Sequence, residues 1–261
     1  MKKIISILTV TVLLTACSKS DDEVVTPKQV KTYLKSEAID VFNGTTTFTL
    51  SSNYTYNSQN QIIGIEETSS DTYYSSNKSY TNFVYNSKGK LESYQLQYTV
   101  NGTIYNYKNT YIYSPEGVVQ EITTTNLATN TITQRNTYEY TTNGLIFRYV
   151  QASGNVGQTN IYTYNGDNIS QIEYKNQSGT TVQIQNFNGY DNKPNPFQLR
   201  WASVPDKLRS INNCSSEVRT NSSTGAVTTT QYNYEYNADG YPTKRIDISS
   251  GRTATWTYEK R

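Results

Sequence analysis

One phrase, a pair of aromatic residues running into a short polar turn, recurs along most of this chain and confines it to antiparallel β structure. Its clearest copy is Tyr232-Asn233-Tyr234-Glu235-Tyr236-Asn237-Ala238-Asp239-Gly240. Aligned on the last aromatic, the copies end at Tyr56, Tyr85, Tyr113, Tyr140, Tyr164 and Tyr236. Another ring stands two residues earlier in each: Tyr54, Phe83, Tyr111, Tyr138, Tyr162 and Tyr234. Residues two apart in a strand share a face, so each copy sets two rings side by side. Four residues past the anchor comes Gly89, Gly117, Gly144 or Gly240, and elsewhere Asn60 or Asn168, residue types that accept left-handed backbone. Asn57, Asn86, Asn165 and Asn237 follow their anchors directly, where the side chain can close a turn. Such a strand and turn predict a hairpin with a type I turn and a bulge. Tyr190-Asp191 is the least regular copy, and Tyr258, after Trp256, marks a last strand without a following turn.

Successive anchors up to Tyr164 lie 29, 28, 27 and 24 residues apart, room for two strands and two turns each. A second set of turns falls between the phrases, at Asn43-Gly44, Asn101-Gly102, Ser153-Gly154, Ser178-Gly179, Thr224-Gly225 and Ser250-Gly251. The expected fold is all-β: a long antiparallel up-and-down meander of about 16 strands, curled or barrel-like. Thr, Asn, Gln, Glu and Lys fill most places between the rings, and Ile62, Leu91, Val119 and Ile146 serve the second strands. One face is therefore aromatic–aliphatic and the other polar. A buried tyrosine hydroxyl needs a hydrogen-bond partner, so 25 tyrosines predict a partly wet interior or a partly open aromatic face.

A barrel of that size is too wide for side chains alone to fill. Residues 191–213, where Pro194 and Pro196 interrupt the strand rhythm, are the expected plug or lid, a loop with at most a short helix. The 46 residues from Tyr190 to Tyr236 are expected to hold this insertion plus an unmarked strand pair.

The start of the chain carries an address. Lys2 and Lys3 precede an apolar run from Ile4 to Leu14 that is too short to span a bilayer as a mature helix. Leu14-Thr15-Ala16-Cys17 resembles the lipobox of bacterial lipoproteins. Residues 1–16 are then a signal peptide, and acyl chains on Cys17 hold the protein to a membrane. An ordinary secretory signal with a chance cysteine is the alternative. Residues 17–30 read as a lipidated flexible tether, and 31–261 as a single β-repeat domain. The acidic run Ser18-Lys19-Ser20-Asp21-Asp22-Glu23 also resembles an export signal to the cell surface, against the plainer reading of a solvated linker.

The phrase resembles the YD repeat of RHS-type proteins, most closely in Tyr85-Asn86…Gly89 and Tyr236-Asn237…Gly240. Together with its leader, the chain resembles an uncharacterised family of Gram-negative lipoproteins with a porin-like β fold. These resemblances cover about residues 30–261. They imply a secreted or surface β shell and no common activity.

Chemistry is harder to find. The chain has no histidine, which removes histidine triads, histidine metal ligands and the commonest general base. Its glycines sit singly at turns, without a phosphate-binding pattern. Without Lys2 and Lys3, 21 basic residues face 21 acidic ones, so nucleic acid is not an expected partner. Once Cys17 is lipidated only Cys214 remains, which precludes an intramolecular disulfide and reads as a small half-buried residue. Glu66, Glu67, Asp71, Glu92, Glu121, Glu139, Glu173 and Asp247 could supply a hydrolytic carboxylate pair, but their spacing is that of solvated strand residues. Asn165-Gly166-Asp167-Asn168 and Asp191-Asn192 read as turns rather than calcium loops. No metal and no cofactor is expected.

The aromatic pairs themselves hold a sheet together at roughly 0.2–1 kcal/mol each. Exposed rings could also form a platform for sugars. Trp201, in the stretch that the repeat does not explain, is the first candidate, then Phe197, with Trp256. The expected protein is an outer-membrane-anchored, surface-exposed lipoprotein, a non-catalytic binding module for glycan or another extracellular ligand, with the periplasmic face as the alternative location. The other readings are a structural or assembly protein that docks an envelope or secreted partner, a carboxylate hydrolase, and a lipid-embedded porin.

Overall fold

A computed structural model describes residues 30–42, 44–71, 77–154, 156–201 and 210–261; the signal peptide, Cys17 and most of the tether lie outside the described residues. The first eight strands are β1 (Thr32–Phe42), β2 (Thr47–Tyr56), β3 (Ile62–Ser69), β4 (Lys78–Tyr85), β5 (Leu91–Val100), β6 (Thr103–Tyr113), β7 (Val119–Asn126) and β8 (Thr131–Tyr140). The second half comprises β9 (Ile146–Ser153), β10 (Val156–Asn165), β11 (Asn168–Asn176), β12 (Thr181–Pro194), β13 (Asn212–Asn221), β14 (Val227–Tyr236), β15 (Pro242–Asp247) and β16 (Thr253–Lys260). One short helix, α1 (Phe197–Trp201), follows β12. Each strand pairs antiparallel with its sequence neighbours, and β1 pairs with β16 through Leu34 opposite Tyr258 and Ile39 opposite Ala254. The meander closes into a sixteen-stranded barrel.

The anchors all end even-numbered strands, so their turns crowd one rim, while the second set of turns lies at the far rim. At the anchor rim the turn chemistry is the one the sequence implies. Asn57 Oδ1 accepts the backbone N–H groups of Gln59 and Gln61, both at 2.9 Å, and Asn86 and Asn237 repeat this. Asn60, Gly89, Gly117, Gly144 and Gly240 all have positive φ. Asn168 does not have this role. The turn from β10 to β11 is only two residues long, Asn168 pairs with Asn165, and Gly166 takes the left-handed conformation at φ 61°.

The rings face inward, and the last ring of most even strands finds its partner in the backbone. Tyr56 donates its hydroxyl hydrogen to Leu34 O at 2.6 Å, Tyr85 to Ile62 O at 2.7 Å, Tyr113 to Leu91 O at 2.6 Å and Tyr140 to Val119 O at 2.7 Å. Tyr164 does so to Ile146 O, Tyr190 to Ile169 O and Tyr258 to Pro242 O. In each case an even strand's last ring reaches the first inward residue of the odd strand before it. A carbonyl has two lone pairs, so it serves both the sheet and the ring. At the anchor rim these hydroxyls are therefore satisfied by the sheet itself. Burial pushes the Tyr85 and Tyr190 hydroxyls up to about 12, so the girdle is neutral.

The outer wall carries charged and polar residues throughout, interspersed with exposed apolar ones such as Ile63, Val84, Ile112, Ile132 and Phe147. Asn136, Tyr138 and Tyr140 point inward from β8, which puts Arg135, Thr137 and Glu139 outside. Ion pairs Arg135–Glu121, Arg148–Glu139, Lys175–Glu173 and Lys244–Glu235 cross this surface. Glu66 accepts the Ser79 hydroxyl at 2.5 Å on this outer face, whereas Glu67, the next residue on β3, shares the inward face of Ile65 and pairs there with Lys78. Among the described residues, no helix is long and apolar enough to cross a membrane.

The insertion begins later than its prolines suggest. β12 continues to Pro194, which pairs with Asn212 after a register shift beyond Tyr190. The Asp191 carboxylate accepts the backbone and side-chain N–H of Asn213 and the Tyr236 hydroxyl, substituting side-chain bonds for ladder bonds. Between Tyr190 and Tyr236 stand β13 and β14, and β14 carries the phrase; the interval holds one unmarked strand, not a pair. From β12 the chain turns into the barrel. Phe197 and Leu199 pack on the core formed by Leu34, Tyr54, Ile62, Ile65 and Trp256, four or more strands away around the wall. At the returning end Ser210 Oγ accepts the Ile169 N–H at 3.1 Å, and Asn212 exchanges hydrogen bonds with Asn168.

Candidate functional site

The odd strands start with a bulge, which sets their first two inward residues three apart. The second of these is Ile65 in β3, Tyr94 in β5, Ile122 in β7, Tyr149 in β9 and Ile172 in β11. In the next three odd strands around the wall it is Glu217 in β13, Arg245 in β15 and Glu37 in β1. An apolar layer becomes a charged one along a continuous seam. Glu37 and Glu217 are 3% and 7% exposed, so they need partners. Tyr54 donates to Glu37 at 2.7 Å; Glu217 accepts from Gln185 Nε2 at 2.7 Å and pairs with Arg219 at 2.8 Å.

Arg245 differs from them. It forms no ion pair among the described residues, and its guanidinium lies 4.5 Å from the centroid of the Tyr232 ring. Such a cation–π contact orients the group without neutralising it.

These residues line a cavity of about 290 Å³ under the insertion. Asn195, Pro196, Phe197 and Ser210 form its roof, and Ile169, Phe187 and Trp256 its apolar side. Phe197 meets Trp256 edge-on, with ring centroids 6.0 Å apart at 86°. Trp256 Nε1 is buried and has no hydrogen-bond partner among the described residues. A second cavity of about 250 Å³ lies toward the far rim and shares Glu217, Arg219, Tyr232 and Arg245 with the first. Arg245 therefore stands at the neck between the two. Cys214 lines the first cavity, and burial pushes its thiol up to about 11, away from the nucleophilic thiolate.

Of the three aromatic candidates, Phe197 and Trp256 are brought together at this cavity. Trp201 ends α1, and its side chain lies outside the described residues. Arg245 and Glu217 escaped the sequence reading, which aligned the even strands on their rings but did not align the odd ones; Tyr232 was read as part of the repeat phrase and not as a site residue. Of the carboxylates singled out for hydrolysis, Glu121, Glu139 and Glu173 lie in ion pairs on the outer wall, and Asp247, paired with Arg252, lines the second cavity. Among the described residues no three His, Cys, Asp or Glu side chains gather closely enough to hold a metal ion.

No protein-family model matches the chain, and no curated protein matches it. Solved structures do. The porin-like protein from Bacteroides uniformis ATCC 8492, a crystal structure at 2.32 Å, is 17% identical over 87% of this chain and 98% of its own, at a TM-score of 0.44. The porin-like protein from Bacteroides vulgatus ATCC 8482 is 11% identical over 88% and 99%, at a TM-score of 0.39. The crystal structure of TcdB2-TccC3-Cdc42 matches 83% of this chain with 15% of its own, at 12% identity and a TM-score of 0.26. At such scores none of them assigns this chain a function.

Proposed function

We propose that this protein is a lipid-anchored envelope lipoprotein, held by Cys17 and facing the cell exterior, whose barrel is a non-catalytic module that takes a small extracellular ligand such as a glycan unit. The observation that carries this reading is the cavity under the insertion, where Phe197 and Trp256 meet beside polar groups. Ligand sites combine apolar walls with a few placed polar groups in this way. The outer wall supports a barrel that stands in water, since a lipid-embedded barrel needs a continuous outward apolar band about 25 Å tall, whereas here ion pairs are interspersed among the exposed apolar side chains. Titration of the full chain with simple sugars is expected to give saturable binding that Phe197→Ala weakens without loss of the fold. Absence of saturable binding to any of them sinks the reading. Protease added to intact cells, with Cys17→Ala as the control, tests the location: digestion supports surface exposure, and protection until the outer membrane is broken moves the protein to the periplasm.

A further inference from the structure

We propose that the cavity under the insertion takes a small ring that bears a carboxylate, with the carboxylate on Arg245 and the ring against Trp256 and Phe197. The proposal rests on the reading that the barrel binds a small ligand, and it names the chemistry of that ligand.

Three features of the seam point to it. The first is position. Five odd strands place Ile or Tyr where β15 places Arg245, so the apolar layer that builds the rest of the wall is given up for a cation. An inward guanidinium weakens a sheet unless something answers its charge. The second is what does not answer it. The carboxylate in the same cavity, Glu217, is occupied by Arg219 and Gln185. The first cavity's lining holds two arginines and one carboxylate, and the second adds Asp40 and Asp247 with Arg252. Among the described residues none of these carboxylates forms an ion pair with Arg245. The Arg245 guanidinium lies over the Tyr232 ring and donates a hydrogen bond to Tyr234, neutral partners that hold its fork at the cavity, where it can meet a carboxylate.

The third is the indole. Arg245 pairs with Ala254 across β15 and β16, and Trp256 is two residues further on the same inward face. Diagonal neighbours of this kind stand roughly 7–8 Å apart at the backbone, close enough for two long side chains to reach one small ligand. Trp256 is 3% exposed, lines the cavity and has an N–H without a partner. A ligand oxygen would satisfy it, while the faces of Trp256 and Phe197 pack on the ring. The cavity's 290 Å³ is at the lower edge of the roughly 300–1,000 Å³ typical of small-molecule sites, which favours one ring over an oligomer. Acidic sugars and aromatic acids both have this chemistry. The second cavity, on the other side of Arg245, offers a path from the far rim.

The test is calorimetric titration of the full chain with glucuronate, with glucose as the neutral counterpart and with benzoate as the aromatic acid. Saturable binding of glucuronate or benzoate is expected, with glucose at least about tenfold weaker. Arg245→Gln is expected to weaken the acid on the order of 10- to 100-fold and to leave glucose unchanged. Trp256→Phe keeps a ring, removes the donor and is expected to weaken the acid several-fold. Thermal midpoints report folding, and Arg245→Lys, which keeps the charge but loses the fork, serves if the glutamine variant does not fold. Glucuronate preferred over benzoate identifies an acidic sugar, and the reverse an aromatic acid. Glucose binding as tightly as both acids, unaffected at Arg245, overturns the carboxylate assignment and leaves the binding module standing. If none of the three binds, both are overturned.

Discussion

The wall from β2 to β11 and the seam from β12 to β1 are built on the same repeat, and in both most terminal ring hydroxyls go to backbone carbonyls, yet they differ at Tyr236 and in the layer below the rings. In the wall each anchor hydroxyl goes to a backbone carbonyl, and the layer below it is Ile or Tyr. In the seam Tyr236 donates to the Asp191 carboxylate, Tyr234 donates to Cys214 O at 3.0 Å, and the layer below is Glu217, Arg245 and Glu37. The wall closes on itself and leaves little to bind. The seam keeps charge, a cavity and an unused donor. A repeat can thus be a scaffold over most of its length and a site where its second inward position changes character.

High pH tests the girdle as a whole and has the largest expected effect. The Tyr85 and Tyr190 hydroxyls are raised to about 12 against an ordinary 10.0, because burial disfavours the anion; burial raises Tyr234 and Tyr258 as well. A raised value in the folded state is stability that is fully present below pH 10 and lost as pH climbs toward the folded value. Tyrosinate absorbance and circular dichroism are expected to change together in one step above pH 10. Tyrosinate that forms in the seam well before the wall unfolds would break the equivalence of the two girdle halves.

Core truncations come next. Ile122, 3% exposed in β7, is expected to cost about 2–5 kcal/mol when replaced by Ala. Phe187, half-buried in β12, already borders the cavity, so Phe187→Ala should cost only about 1–2 kcal/mol. Chemical denaturation measures both, and equal losses would mean that the seam is packed as tightly as the wall.

The comparison also explains what could be read from the residues. Local chemistry was legible: Asn57, Gly89 and Tyr113 announce strand, turn and face because a turn's demands are met within five residues. Barrel closure was not, because Leu34 meets Tyr258 only if strand number and stagger agree around the whole sheet. The partners of the anchor hydroxyls were not legible, because they are backbone carbonyls, which no side chain advertises. Phe197 and Trp256 were singled out, but their contact depends on the path of the insertion through the barrel. Arg245 was within reach of the sequence. Aligning odd strands on their first inward residue, as even strands were aligned on rings, puts Arg245 in line with Ile122 and Ile172.

Single hydroxyls sharpen the contrast at smaller scale. Tyr113→Phe removes a neutral bond to Leu91 O and is expected to cost about 0.5–1.5 kcal/mol, whereas Tyr236→Phe removes a bond to a carboxylate and should cost about 1.5–3 kcal/mol. The reverse order would mean that Asn213 alone holds Asp191 and that the Tyr236 bond is incidental.

The smallest effect belongs to the outer wall. Arg148 and Glu139 are 42% and 47% exposed, and an ion pair so open to water contributes about 0–1 kcal/mol. Replacing both with Thr, the residue common on this surface, should shift the unfolding midpoint barely at all and leave the barrel monodisperse without detergent. The size of that shift separates two surroundings for the same atoms. In water the pair is screened and dispensable. Against lipid the two charges would be expensive to keep, and their removal would stabilise the barrel in micelles by several times what it changes in buffer. A large gain confined to micelles would therefore place this wall in a bilayer and reverse the assignment of its polar face.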